Sequence, residues 1–264
     1  MNRKNACVIS PPFIKICCVG TIITWIITVF LGVLVAQLDP AGPNYDPAGY
    51  NPLIDYLSNM GSIYYTPFPF VFNFGMTLIG LLMIPVVFYL KNLMIGNNAG
   101  IIQKTFRSVF TILMVIGFIF LIFVGFINIE LSRTWQLQLF YPLNACNWHL
   151  QVTYISFSSI ILGSGVYTIY VMIYPDFFKK ILGIVHPSLN KTLLILNTII
   201  LPPIFVGFHM SCPLLHSEDL FWISLPMWKW APFWEWLSAI SMTISMFFVC
   251  ISLIRFLNTK LRNN

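Results

Sequence analysis

Three ionisable side chains stand out in a chain that is otherwise poor in charge: Asp55, His149 and Glu235. Each lies at or shortly before the beginning of a long apolar run. A carboxylate close to an imidazole can activate water or exchange a proton with a substrate. An ionisable group at the edge of an apolar helix is costly unless it is hydrated or paired, so a shared polar cavity would relieve all three. We therefore predict that these candidate catalytic residues face one cavity.

Small and polar side chains continue from these residues at helical spacing. Four of them are candidate binding residues: Ser58, Asn73, Thr153 and Ser238. Each shares the side of its predicted helix with a candidate residue or with other small residues at i, i+4 and i+7. Such stripes also form packing seams, because small residues let membrane helices approach closely. Asp55 could likewise be a solvated residue, and Glu235 could simply stabilise a helix N-terminus.

Several histidine and cysteine residues are candidate metal ligands or disulfide partners. His149, His209 and His216 could supply three zinc ligands. Their spacing contains no HExxH or HxxxH pair, so we predict no metal or other cofactor and keep zinc as the weaker alternative. Cys146 and Cys212 are predicted at neighbouring outer helix ends, where an oxidising compartment could join them in a disulfide.

The elements that position these residues are long apolar helices. The chain has 264 residues, of which 58% are hydrophobic and 8% charged, far below the charged fraction of a soluble domain. A helix needs about 20 apolar residues to cross a bilayer. We predict an all-α, polytopic bundle of six transmembrane helices that forms a single membrane domain over residues 1–264. The predicted spans are 14–37, 67–90, 108–128, 149–174, 192–210 and 233–256.

The distribution of basic residues predicts the orientation of the bundle. Of the fourteen Lys and Arg residues, all but Arg133 and Lys229 fall in the termini and in two connecting loops on one side. The positive-inside rule makes that side cytoplasmic, with both termini there. The net charge of +6 is thereby explained without nucleic acid, and membrane lipids are the expected partners.

The first outer loop should contain a short helix of its own. The segment NPLIDYLSNMG begins with Asn51 as a cap and Pro52 at the first helical position, and Gly61 ends it. Its leucine and methionine side chains recur on one side, while Asp55, Ser58 and Asn59 lie on another. We predict an extracytoplasmic interfacial helix whose polar side faces water or the mouth of the bundle.

Three segments carry a resemblance to a known family: NPLIDYLSNMG followed by PFPFVFNFG, NWHLQVTYISF and PFWEWLSAISM. The chain resembles the membrane proteins of domain-of-unknown-function family 998, which look related to the Frag/DRAM/Sfk group. The resemblance implies a six-helix fold and a connection with lipids, through relatives involved in GPI-anchor remodelling, phosphoinositide-linked regulation and autophagy control. It implies no catalytic mechanism.

Two functions remain open at this point. The leading interpretation is a lipid-associated membrane protein whose polar outer pocket binds a lipid headgroup in regulation or remodelling. The alternative is a membrane-embedded hydrolase that acts on a lipid, in which His149 and a carboxylate activate water, with or without zinc. Transport of a small solute is less favoured, because the chain contains no internal repeat of the kind that many transporters have.

Overall fold

The structure, a computed structural model, describes residues 9–38, 56–62, 66–94, 100–127, 148–174, 176–177 and 231–262. Every regular element in these ranges is helical. The long helices are α1 (Pro11–Leu38), α2 (Phe70–Leu93), α3 (Ile101–Phe126), α4 (Trp148–Ile173) and α5 (Ala231–Arg262). A short 3-10 helix, here called the loop helix, spans Leu57–Gly61 between α1 and α2.

Five of the predicted spans are confirmed as helices that are long and apolar enough to cross a membrane. The other predicted span, 192–210, lies outside the described residues. Pro11 and Pro12 begin α1. Proline is tolerated in this first turn because an N–H group there would have no intrahelical acceptor. Helix α3 begins at Ile101, before the predicted residue 108, because Lys104 and Arg107 continue the helix beyond its apolar part. Hydropathy reports the apolar length of a helix and misses such extensions.

Among the described residues, the long helices form an arc in the order α5, α1, α2, α3, α4. Helix α3 packs along α2 and α4, while α1 packs along α2 and α5. Helices α4 and α5, at the two tips of the arc, touch each other over a much shorter length. Residues 178–230, which connect α4 to α5, lie outside the described ranges, so this order is that of the described helices alone.

Two hydrogen bonds and one short contact define the ends of the bundle. The Tyr170 hydroxyl, near the end of α4, donates to the carbonyl of Met94, which caps α2. At the other end, His149 at the start of α4 contacts the carbonyl of Ile127, which caps α3. At this same end, Glu235 near the start of α5 contacts the loop helix. We call these the Met94 end and the Glu235 end.

Small residues bring neighbouring helices into backbone contact. A Cβ atom at Gly80 in α2 would lie 2.7 Å from the Phe118 carbonyl oxygen in α3, and one at Gly117 would lie 3.0 Å from the Ile160 nitrogen in α4. The Ser156 hydroxyl donates to the Gly117 carbonyl at 2.9 Å. The polar stripes of α2 and α4 are therefore, in large part, packing seams against α3.

The outward surface of the bundle is apolar. Large hydrophobic side chains remain exposed along the helices, among them Ile16, Phe30, Phe74 and Ile112. Such a surface requires an apolar solvent, since contiguous apolar area is unfavourable in water. Together with the length of the helices, it identifies the chain as a multi-pass integral membrane protein.

Candidate functional site

The Glu235 side chain joins α5 to the loop helix. Glu235 is only 3% exposed, and its Oε2 accepts a 2.8 Å hydrogen bond from the backbone N–H of Leu57. The backbone N–H and the side-chain hydroxyl of Ser58 also hydrogen-bond this carboxyl group. The first N–H groups of a helix have no intrahelical acceptor, so the carboxyl group satisfies donors that would otherwise be unpaired. Glu235 thus acts as a cap supplied from a distant helix.

The other end of the loop helix is held by Asn73 of α2. Its Nδ2 donates to the Gly61 carbonyl at 3.0 Å. A Cβ atom at Gly61 would lie 2.3 Å from the Asn73 Oδ1, so the close approach requires glycine at this position. The loop helix is therefore fixed at both ends by polar side chains, one from α5 and one from α2.

The described part of the predicted interfacial helix is the 3-10 helix Leu57–Gly61, and its place at the interface stays a prediction. All five residues of the loop helix are buried, including Ser58 and Asn59, which were expected to face water or the bundle mouth. The physical reason is that the buried carboxyl group of Glu235 offers the segment hydrogen bonds inside the bundle. The predicted cap Asn51 and the candidate residue Asp55 lie outside the described residues.

His149 is anchored to the end of α3. It is 3% exposed, and its Nδ1 lies 2.6 Å from the Ile127 carbonyl oxygen. A carbonyl oxygen can only accept, so Nδ1 is the donor in this contact, and in the neutral form of the ring Nε2 would be the basic nitrogen. One turn further, the Thr153 hydroxyl donates to the His149 carbonyl at 2.8 Å. This bond within the helix leaves the hydroxyl oxygen able to accept from another group.

Buried hydroxyl groups continue from Glu235 along α5. Ser238 is fully buried, and Ser241 and Ser245 are also buried. The Ser245 hydroxyl donates to the Ser241 carbonyl at 3.0 Å. The Ser238 hydroxyl, one turn from Glu235, finds no hydrogen-bond partner among the described residues. A buried hydroxyl normally has a partner, but the Ser252 hydroxyl on the same helix also has none among the described residues, so this feature alone does not mark a site.

Of the predicted site residues, the structure brings Ser58 and Glu235 into contact and joins Asn73 to the same segment. His149 and Thr153 lie at the same end of the bundle, on α4. A cavity shared by Asp55, His149 and Glu235 stays a prediction, as do the roles assigned to all these residues. Sequence reasoning missed the backbone of Leu57 as the partner of Glu235. Every residue except proline has a backbone N–H, so the residue types do not indicate which one donates.

The metal and disulfide predictions fall largely outside the described residues. His209, His216, Cys146 and Cys212 all lie there. Within the described ranges, no three or more His, Cys, Asp or Glu side chains are grouped so that they could hold a metal ion. The zinc alternative and the disulfide therefore stay predictions.

Comparison with known proteins gives no relative for this chain: no family model, no curated protein and no solved structure matches it.

Proposed function

We propose that this multi-pass membrane protein binds the headgroup of a membrane lipid at the Glu235 end of its bundle, in a regulatory or remodelling role. The observation that carries the proposal is the burial of two ionisable side chains, Glu235 and His149, near the starts of α5 and α4. Among the described residues, these two helices touch each other over a short length only. A lipid between them would have its tails along apolar helix surface and its headgroup at the depth of these polar groups.

The candidate residues have different tasks in this proposal. Glu235 hydrogen-bonds to Leu57 and Ser58 of the loop helix, so this contact positions one wall of the proposed site. His149, Thr153 and Ser238 are the groups proposed to contact the headgroup. His149 offers an acceptor nitrogen, while the hydroxyl groups of Thr153 and Ser238 can each exchange hydrogen bonds with phosphate, hydroxyl or amine groups.

The proposal includes six spans with both termini in the cytoplasm. Helix α4 ends at the Met94 end, whereas α5 begins at the Glu235 end. The chain between them must therefore return across the bundle an odd number of times. A single return through the apolar run 192–210 accounts for this and supports the six-span topology.

Lipid retention tests headgroup binding directly. The wild-type protein, purified mildly into nanodiscs of mixed phospholipids, should retain lipid that native mass spectrometry detects after release. His149→Ala should lower the retained lipid about tenfold, since a hydrogen bond to a charged group contributes about 1.5–3 kcal/mol. The matched control is His186→Ala, a histidine predicted to lie in a loop on the opposite side. Equal retention by wild type and His149→Ala would argue against the site.

A membrane-embedded lipid hydrolase is the second candidate, and the tautomer of His149 favours it. Because Nδ1 donates to a carbonyl, the ring is oriented, and in its neutral form Nε2 would be the basic nitrogen, as a general base requires. Incubation of the reconstituted protein with labelled phospholipids and ceramides distinguishes the two functions. Product formation that is lost in His149→Ala supports the hydrolase, and retained, unaltered lipid supports the binding protein.

A further inference from the structure

Three sulfur atoms from three helices meet in the interior of the bundle. The Cys250 thiol of α5 lies 3.9 Å from the Met83 Sδ of α2. The Cys18 thiol of α1 hydrogen-bonds to Cys250. Both cysteines are fully buried, and Met83 is 2% exposed. The group therefore joins α1, α2 and α5 at a point that none of the candidate residues of the Glu235 end occupies.

The separation of Cys250 and Met83 matches that of two sulfur ligands around one metal ion, and Cys18 interacts with the same Cys250 thiol. With metal–sulfur bonds of about 2.3 Å, three sulfurs at the corners of a trigonal site lie about 4 Å apart. The measured separation of 3.9 Å between Cys250 and Met83 is close to this value. Little rearrangement would be needed to place an ion between them.

The chemical types of the three sulfur ligands indicate which metal ion the group would bind. Two thiolates and a thioether are soft ligands, which favour monovalent copper among the common cellular metals. Zinc prefers four ligands, and no third His, Cys, Asp or Glu among the described residues completes a metal-binding group with Cys18 and Cys250. A three-coordinate, sulfur-only site is therefore the coordination that this part of the bundle can offer.

We propose that Cys18, Cys250 and Met83 form a binding site for one Cu(I) ion. The binding step forms three copper–sulfur bonds and breaks the two S–H bonds. One Cu⁺ and two thiols become a bis-thiolate complex of net charge −1, and two protons are released. No electron is transferred.

Copper titration of the full-length protein in detergent tests the site. The probe is Cu(I) supplied anaerobically in competition with a colorimetric Cu(I) chelator. We expect one Cu(I) per chain and two protons released per ion. Cys18→Ser and Cys250→Ser should each weaken binding at least a hundredfold. Met83→Leu, which nearly preserves side-chain volume, should weaken it about tenfold.

Cys17→Ser is the matched control, because Cys17 is also buried on α1 and interacts with Cys250 through charge alone, whereas Cys18 also hydrogen-bonds to it. It should bind Cu(I) as the wild type does. An equal loss in Cys17→Ser and Cys18→Ser would overturn the ligand assignment. Failure of the wild type to compete with the chelator for any copper would overturn the site itself.

X-ray absorption of the copper-loaded wild type gives a test that needs no variant to fold. The expected spectrum has three sulfur neighbours at about 2.3 Å and no nitrogen or oxygen neighbour. Copper should also raise the thermal unfolding midpoint, since a ligand that binds only the folded state stabilises it. A spectrum dominated by nitrogen or oxygen ligands would contradict the proposal.

Discussion

At the scale of single residues, Glu235 shows how a costly carboxyl group is used inside an apolar bundle. Among the described residues, the group is bonded by backbone and hydroxyl donors of Leu57 and Ser58. A buried carboxyl group is tolerated when its oxygen atoms accept several hydrogen bonds. The same hydrogen bonds hold the loop helix in a fixed position.

Substitution of Glu235 and Ser58 tests this contact. Glu235→Gln retains the shape but replaces one acceptor oxygen with an N–H donor, and should lower the free energy of unfolding by about 2 kcal/mol. Ser58→Ala should cost about 1 kcal/mol, and the double variant should cost less than the sum. Reversible unfolding in mixed micelles measures all three. The control is Ser252→Ala, which removes a buried hydroxyl without a described partner and should change little. Fully additive losses would show that the two residues act separately.

At the scale of elements, the sequence predicted the helices better than it predicted what their polar stripes do. Long apolar runs gave five described helices near their predicted positions, because lipid forces a backbone to satisfy its own hydrogen bonds. The stripe that begins with Asn73 was open to two interpretations. Asn73 proved to hold Gly61, and Gly80 further along packs against α3.

The partner of Glu235 could not be predicted in the same way. Glu235 and Leu57 are 178 positions apart. Their contact depends on the packing of α5 against α1 and on the path of the first loop. Neither is encoded in a local pattern, whereas the periodicity that predicts a helix is local.

Two glycines of neighbouring helices test the packing seams. Gly117→Ala in α3 places a Cβ atom 2.6 Å from the Ile160 side chain in α4, and should destabilise the protein by about 1–3 kcal/mol. Gly165→Ala in α4 is the matched control, since a Cβ atom there meets nothing within 4 Å. It should be neutral or stabilise the fold by about 0.5–1 kcal/mol. Unfolding in micelles compares the two, and equal effects would exclude the seam.

At the scale of the whole molecule, the topology is open to a labelling experiment. Single cysteines introduced at Asn44 and Asn97, in a background without other reactive cysteines, lie in the first and second predicted loops. Because one span separates them, a membrane-impermeant maleimide should label Asn44→Cys from the outside and Asn97→Cys only after the membrane is permeabilised. Labelling of both positions from one side would refute the predicted orientation and span count.

Cross-linking from the headgroup tests lipid binding at the Glu235 end most directly. The full-length protein would be reconstituted into nanodiscs with a phospholipid that carries a photoreactive headgroup, and the cross-linked peptides would be mapped by mass spectrometry. We expect cross-links to concentrate at the start of α4, at the start of α5 and beside the loop helix. Unlabelled lipid with the same headgroup should compete for them. Cross-links distributed equally over the Glu235 and Met94 ends, or insensitive to that competitor, would contradict a headgroup site.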